Sequence, residues 1–332
     1  MTFLEILLLI QTLEKFHFNM KVKEIFDLST KLGIEADFRG KEGIEKLLKR
    51  KKEKYEKLSD EQKKFYDIEA LENPFLDSRV FNLAEDKDIK KILAGVDIDG
   101  AELIVGKNLG VDLVIGHHPQ GRGLANLGDV MNLQVDVLHQ YGVPVNQAER
   151  LTNERISEVS RSVHSANHFQ NIDLAKLLNL NFINSHTPCD NLAANFLNQR
   201  IEGGKFEYVE DIIKAVEDIP EYKEAKLNGA GPEVFVGSPE NRCGKIALTE
   251  ITGGTEGSEK LYEKMAHSGI GTIVAMHMSE RNKKEAEASN INVLVVGHLS
   301  SDSLGMNLFL DELEKKGIEI IPCGGLTRIK RF

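Results

Sequence analysis

Three stretches of the chain place imidazole and carboxylate groups where metal chemistry can happen: His117-His118-Pro119, His186-Thr187-Pro188-Cys189-Asp190 and His298-Leu299-Ser300-Ser301-Asp302. Each follows an apolar run that reads as a buried strand, VDLVIG over 111–116, LNFINS over 180–185 and INVLVVG over 291–297. In open parallel sheets, sites form beyond the carboxyl ends of strands, where side chains from several strands meet. Within a continuing strand His117 and His118 would point to opposite faces. Pro119 ends the ladder and frees both rings to turn toward one cleft. Taken singly, HHP also suits a surface turn, and Asp190 suits the cap of the helix that NLAANFLNQRI predicts. His298 and Asp302, four apart, share a face if their segment is helical.

Together, His117, His118, Asp190, His298 and Asp302 form a candidate ligand set of three imidazoles and two carboxylates without a thiolate. That set suits zinc first, then manganese, iron, cobalt or nickel. Five side chains close two tetrahedral sites only if one carboxylate bridges, and positions for water then remain. Open positions mark catalytic rather than structural sites. Two cations roughly 3.5–4 Å apart can activate a water at neutral pH.

The elements that must carry these residues alternate from about residue 90. ILAGVDI (92–98) predicts a strand, DGAELIVGKNLG a helix and VDLVIG the next strand, which is a parallel βαβ unit with a right-handed crossover. KIALTEI (245–251) and GTIVAM (271–276) predict further strands, with helices at 257–268 and 280–289. The fold class is α/β, in four segments. Residues 1–84 form a helical N-terminal extension and 85–200 a first α/β half with HHP and HTPCD. The polar stretch 201–244 is a linker or loop region, and 245–332 a second half with GHLSSD. Within the extension, Lys46–Lys57 is a dense basic run. Glu53 and Glu56 break its field, so a solvated helix face accounts for it better than a nucleic-acid contact.

With 41% hydrophobic and 28% charged residues among 332, the chain can bury sizeable cores. The net charge of −10 disfavours nucleic acid and acidic membranes as partners. Cys189, Cys243 and Cys323 include no CxxC pair, so a reduced, cytoplasmic protein is expected. The apolar run Phe3–Ile10 is far shorter than the roughly 20 residues of a membrane span. It reads as an amphipathic helix, or as residues preceding a natural start at Met20.

The segment from Val96 to Pro119 (VDIDGAELIVGKNLGVDLVIGHHP), then HTPCD, then Met278 to Asp302 (MSERNKKEAEASNINVLVVGHLSSD), resembles the Nif-three-like family, also called the GTP cyclohydrolase I type 2 family. The resemblance covers roughly 85–330. It implies two similar α/β halves facing each other across a cleft with a dinuclear metal centre, and assembly into ring-shaped hexamers. His117 and His118 match the paired histidines of the first motif, Asp190 the carboxylate of the second, and His298 and Asp302 the pair of the third. The implied activity is hydrolytic opening of the GTP imidazole ring, a metal-dependent hydrolase acting on a nucleotide-like or heterocyclic small molecule. A non-catalytic metal-binding or metal-trafficking protein is the alternative.

Two departures stand out. Asp302 replaces the family's usual glutamate and is one methylene shorter, which puts a bridging role in doubt. The stretch between HHP and HTPCD is longer than expected and can reshape the substrate entrance; it holds His139 and the i, i+4 pair His164 and His168, which reads as a helix-surface pair before a second metal site. Arg122, flanked by Gly121 and Gly123, is a candidate phosphate contact. The turn Gly253-Gly254-Thr255-Glu256-Gly257 can cradle a phosphate through its amides or serve only as a tight turn. His186 and His277 are expected near the metals, supporting rather than binding them, and Cys189 as a small buried side chain.

Overall fold

The structure, a computed structural model, describes residues 20–332. Phe3–Ile10 and the question of a start at Met20 lie outside the described residues.

Among the described residues, nine strands form two sheets: β1 (Val80–Asn82), β2 (Lys91–Gly95), β3 (Leu113–Gly116), β4 (Asn181–Asn184), β5 (Glu233–Val236), β6 (Lys245–Glu250), β7 (Ile270–Ala275), β8 (Asn292–Val295) and β9 (Glu319–Cys323). The first sheet has the order β1-β4-β3-β2-β9 and the second β5-β8-β7-β6. The first has four parallel strands and the second three, and each carries an antiparallel edge strand: β1 on β4, and β5 on β8. The protein is therefore two similar α/β halves. Both faces of each sheet are covered, which is why its strands read as continuous apolar runs rather than alternating ones.

Two helices tie the halves together. The helix Thr187–Glu202 leaves β4 of the first sheet, and the helix His298–Glu314 leaves β8 of the second and returns the chain to β9 in the first. Phe309, Leu310 and Leu313 pack with Ile92, Leu113 and Ile183 in one core, while Leu304, Ala193 and Leu197 pack with Leu248, Val274 and Leu294 in the other. Both cores thus share the same helix pair. Gly305 sets their separation: a Cβ there would lie 2.1 Å from the Cys189 carbonyl oxygen. A side chain would force apart the two helices that carry Asp190 and Asp302. The N-terminal helix Val22–Ala36 packs on the Thr187 helix, where a Cβ at Gly33 would sit 2.6 Å from the Pro188 Cα.

Two segment boundaries are corrected. The stretch 201–244 is not a bare linker, since it folds into helices Val209–Glu217 and Pro220–Leu227 and the edge strand β5. Residues 319–323 belong to the first sheet, paired with β2. Both β5 and β9 gain their stability by pairing with a distant strand, which local patterning does not report. Helices do fill much of residues 20–71, as expected for the extension, and the basic run lies on the helix Gly40–Glu56. Among the described residues no helix is long and apolar enough to cross a membrane.

Candidate metal centre

The three motifs converge. His117 and His118 follow β3, while His186 and Asp190 open the helix after β4, and His298 and Asp302 open the helix after β8. The two helices begin with the same His-x3-Asp spacing. Their N-terminal ends carry partial positive charge, which favours a carboxylate in the first turns.

Asp302 sits at the centre, 1% exposed. Its Oδ1 lies 3.5 Å from His117 Nε2, and its Oδ2 lies 3.4 Å from His118 Nε2 and 3.5 Å from His298 Nε2. Asp190 Oδ1 lies 3.2 Å from His117 Nε2, and Asp190 Oδ2 lies 3.8 Å from His186 Nε2. The donor atoms of three overlapping groups are close enough to hold a metal ion: His117, Asp190 and Asp302; His118, His298 and Asp302; and His117, His118 and His186. Two of these groups meet at different oxygens of Asp302. The shorter side chain thus still reaches both sets of imidazoles.

Whether these residues fit a metal is tested by their hydrogen bonds. His117 Nε2, Asp190 Oδ1 and both carboxylate oxygens of Asp302 are buried without a hydrogen-bond partner. Leaving buried polar atoms unpaired costs about 1–3 kcal/mol each, and more for charged ones. Four converging on one point fit a cation.

The outer nitrogens of His117, His118 and His186 are engaged. His117 Nδ1 lies 2.9 Å from the Ser185 carbonyl, His118 Nδ1 2.7 Å from Asp97 Oδ1, and His186 Nδ1 2.6 Å from Asp77 Oδ2. An acceptor at Nδ1 fixes the tautomer and leaves Nε2 free to ligate, the arrangement by which proteins aim metal-binding histidines. Asp77 is wholly buried and also accepts from Thr187 Oγ1 at 2.6 Å. Burial alone would raise its pKa, but His186 and Thr187 hold it below the usual carboxylate value.

The electrostatics follow from this crowding. Burial disfavours a charged His117, yet Asp302 and Asp190 outweigh it and hold its pKa well above 6.5. His118 is raised less, because the pull of Asp302 and Asp97 works against burial and against His117. At His298 burial wins, helped by His277, and the pKa is lowered. Asp302 is driven far below the carboxylate range by His117, His118 and His298, despite its burial.

A narrow cleft opens onto the centre and is lined by His186, Asp190, His298, His277, Glu250 and the loop after β6. All five proposed ligands come together. His186 is nearer the centre than expected: its Nε2 faces Asp190, and it belongs to one of the groups able to hold a metal. The signal was present in HTPCD, whose first histidine stands four before Asp190 just as His298 stands four before Asp302. His277 follows β7, the counterpart of β3, and its ring lies 5.0 Å from that of His298.

Three other expectations end elsewhere. Arg122 is exposed on the short helix Gly121–Ala125 and does not line the cleft. The helix Val145–His164 ends at His164, so His168 does not continue its face, and neither joins a metal-capable group among the described residues. Cys189 is buried with its sulfur 3.2 Å from Ser185 Oγ and 3.6 Å from Met306 Sδ.

The geometry now meets known proteins. The crystal structure of a NIF3 superfamily protein from Sphaerobacter thermophilus superposes with a TM-score of 0.75 at 25% identity, covering 93% of this chain and 99% of that one. The fold is that of a Nif-three-like protein. Reduced HcgD from Methanocaldococcus jannaschii (TM-score 0.44, 15% identity, 71% of this chain and 84% of that one) is more distant. So is a Bacillus cereus protein related to NIF3 (0.41, 11%, 77% and 91%). No family model and no curated protein matches the sequence. For this Nif-three-like chain the fold and a His/Asp cluster able to hold metal are thus in hand.

Proposed function

We propose that the protein is a dinuclear metal-dependent hydrolase. One divalent cation would be held by His117, Asp190 and Asp302 Oδ1, and the other by His118, His298 and Asp302 Oδ2, with His186 beside Asp190 completing the first. The observation that carries this reading is the division of Asp302, whose two unpartnered buried oxygens face different sets of imidazoles. Nitrogen and oxygen donors without a thiolate favour zinc, with manganese, iron, cobalt or nickel as alternatives. When bound, the pair supplies Lewis acidity and a water acidic enough to serve as nucleophile at neutral pH.

The chain's own residues do the rest. Ser185, Asp97 and Asp77 hold the three imidazoles in the ligating tautomer, and burial of Asp190 and Asp302 keeps bulk water from competing for their oxygens. The substrate is a small molecule, nucleotide-like or heterocyclic, in keeping with the resemblance to GTP cyclohydrolase I type 2.

The test is to count metals in purified protein by mass spectrometry and to offer the loaded protein a panel of nucleotides and heterocycles, GTP included. Two cations per chain and turnover abolished in Asp190→Ala support the proposal. Turnover no greater than that of Asp190→Ala across the panel refutes the hydrolase and leaves a metal-binding protein.

A further inference from the structure

The loop after β6 forms one wall of the cleft, with Thr252, Gly254 and Thr255 among its lining residues. Its back is fastened from outside. Gln134, 3% exposed on the helix Asn132–Gln140, donates through Nε2 to the carbonyls of both Gly253 (3.0 Å) and Thr255 (2.5 Å). Arg155 Nε donates to the Glu256 carbonyl at 3.1 Å, and the Gly257 amide donates to Glu250 Oε2 at 3.0 Å. Both anchoring side chains, Gln134 and Arg155, come from the long stretch between HHP and HTPCD.

In a trans peptide the C=O of one residue and the N–H of the next point in opposite directions. No peptide bond among the described residues is cis. With the Gly253 carbonyl drawn back to Gln134, the amide of Gly254, which lines the cleft, must point away from that helix. Positive φ at Gly253 (86°) and Gly254 (95°) permits this orientation. A Cβ at Gly253 would lie 2.9 Å from Gln134 Cγ, so the loop's back is closed against that helix. A backbone amide presented to a cleft in this way is a donor for an anion.

The carboxylates nearby do not spoil it. Burial pushes Glu250 up to about 8, so it is neutral at physiological pH. Glu256 turns its Oε1 to the Ser279 amide at 2.6 Å. Asp190, which lines the same cleft, turns its Oδ1 to His117 Nε2 at 3.2 Å, toward the metal position.

We propose that the loop Thr252–Thr255 is a phosphate subsite of the metal cleft, in which the Gly254 amide holds a phosphate group of the substrate and Gln134 is the positioning residue. This rests on the hydrolase reading and narrows its substrates to phosphorylated ones. It also moves the anion contact from exposed Arg122 to a backbone amide fixed by a buried glutamine.

The test reads binding rather than turnover. Full-length protein labelled with carbonyl-13C, 15N-glycine gives correlations only for the second residue of a Gly-Gly pair, of which the chain has three, ending at Gly204, Gly254 and Gly325. Inorganic phosphate, with acetate as the control anion, is titrated with cations present and again under chelation. The expected result is a saturable shift of the Gly254 amide with phosphate in both conditions and none with acetate. In Gln134→Ala, phosphate affinity falls about ten-fold while metal content stays that of wild type, because the loop is no longer held with the Gly254 amide outward. A Gly254 amide that stays still while phosphate binds only in the presence of cations overturns the proposal, as does unchanged affinity in Gln134→Ala or an equal response to acetate. A shift under chelation in a protein that retains no cations would sustain the subsite while removing the metal reading.

Discussion

Metal binding at this site must expel protons, and the affinity must therefore climb with pH. In the metal-free protein Asp302 and Asp190 hold the His117 pKa well above the 6.5 of a free imidazole, and His118 is raised in the same sense. A cation needs the unprotonated nitrogen. His298, with a lowered value, is already neutral near pH 7, and Asp302 is already ionised, so neither contributes a proton. Affinity should rise about ten-fold per pH unit for each proton released, with one to two protons leaving as His117 and His118 ligate. The rise ends once pH passes the folded-state value of His117. Stability of the metal-free protein runs the opposite way. A histidine whose folded pKa is raised stabilises fully below 6.5 and loses that contribution as pH climbs through the raised value. Metal-free protein should thus melt at lower temperature as pH increases, while the zinc-loaded form gains about 1.4 kcal/mol for each ten-fold gain in affinity at saturating metal. Calorimetric zinc titrations in two buffers of different ionisation enthalpy measure the protons directly. Binding heats independent of buffer, with affinity flat from near-neutral to mildly alkaline pH, would refute the argument.

Asp302→Ala should remove both cations, because each is argued to depend on one of its oxygens, whereas Asp190→Ala should leave the His118–His298 position occupied; elemental analysis separates the two. Asp77→Asn frees the outer nitrogen of His186 and should weaken metal affinity about 10–100-fold with the fold intact, read by competition with a chelating dye. Arg122→Ala should change neither metal content nor phosphate affinity, since its side chain lies outside the cleft. Arg328, buried with Asp311 at 2.5 Å and also paired with Glu314, anchors the C-terminal tail on the His298 helix; Arg328→Ala should cost about 3–5 kcal/mol in urea unfolding by stranding those carboxylates.

Much of the architecture was readable because it is local. The strands β2, β3 and β4 of the first sheet and β6, β7 and β8 of the second are covered on both faces, so each announces itself as an apolar run ended by a polar cluster. The helices between them carry their own periodicity and caps. The strands that escaped notice are the ones that depend on distant partners. β1 has three residues and pairs antiparallel with β4, β5 pairs antiparallel with β8, and β9, which contains Pro322, pairs with β2 from across the chain. Cross-strand pairing stabilises such segments, and no window of sequence contains both partners.

The amino-acid order by itself determined which groups are available for chemistry: HHP, HTPCD and GHLSSD supply imidazoles and carboxylates at strand ends, where backbone geometry leaves side chains free. Tertiary structure decided what they amount to. Only the close approach at Gly305 brings the helices of Asp190 and Asp302 side by side, and only there does one aspartate, despite its shorter reach, divide its oxygens between two sets of histidines. The distances that govern ligation are a few ångströms between residues up to 185 apart in the chain (His117 and Asp302). Packing sets those distances, and spacing along the sequence carries no information about them.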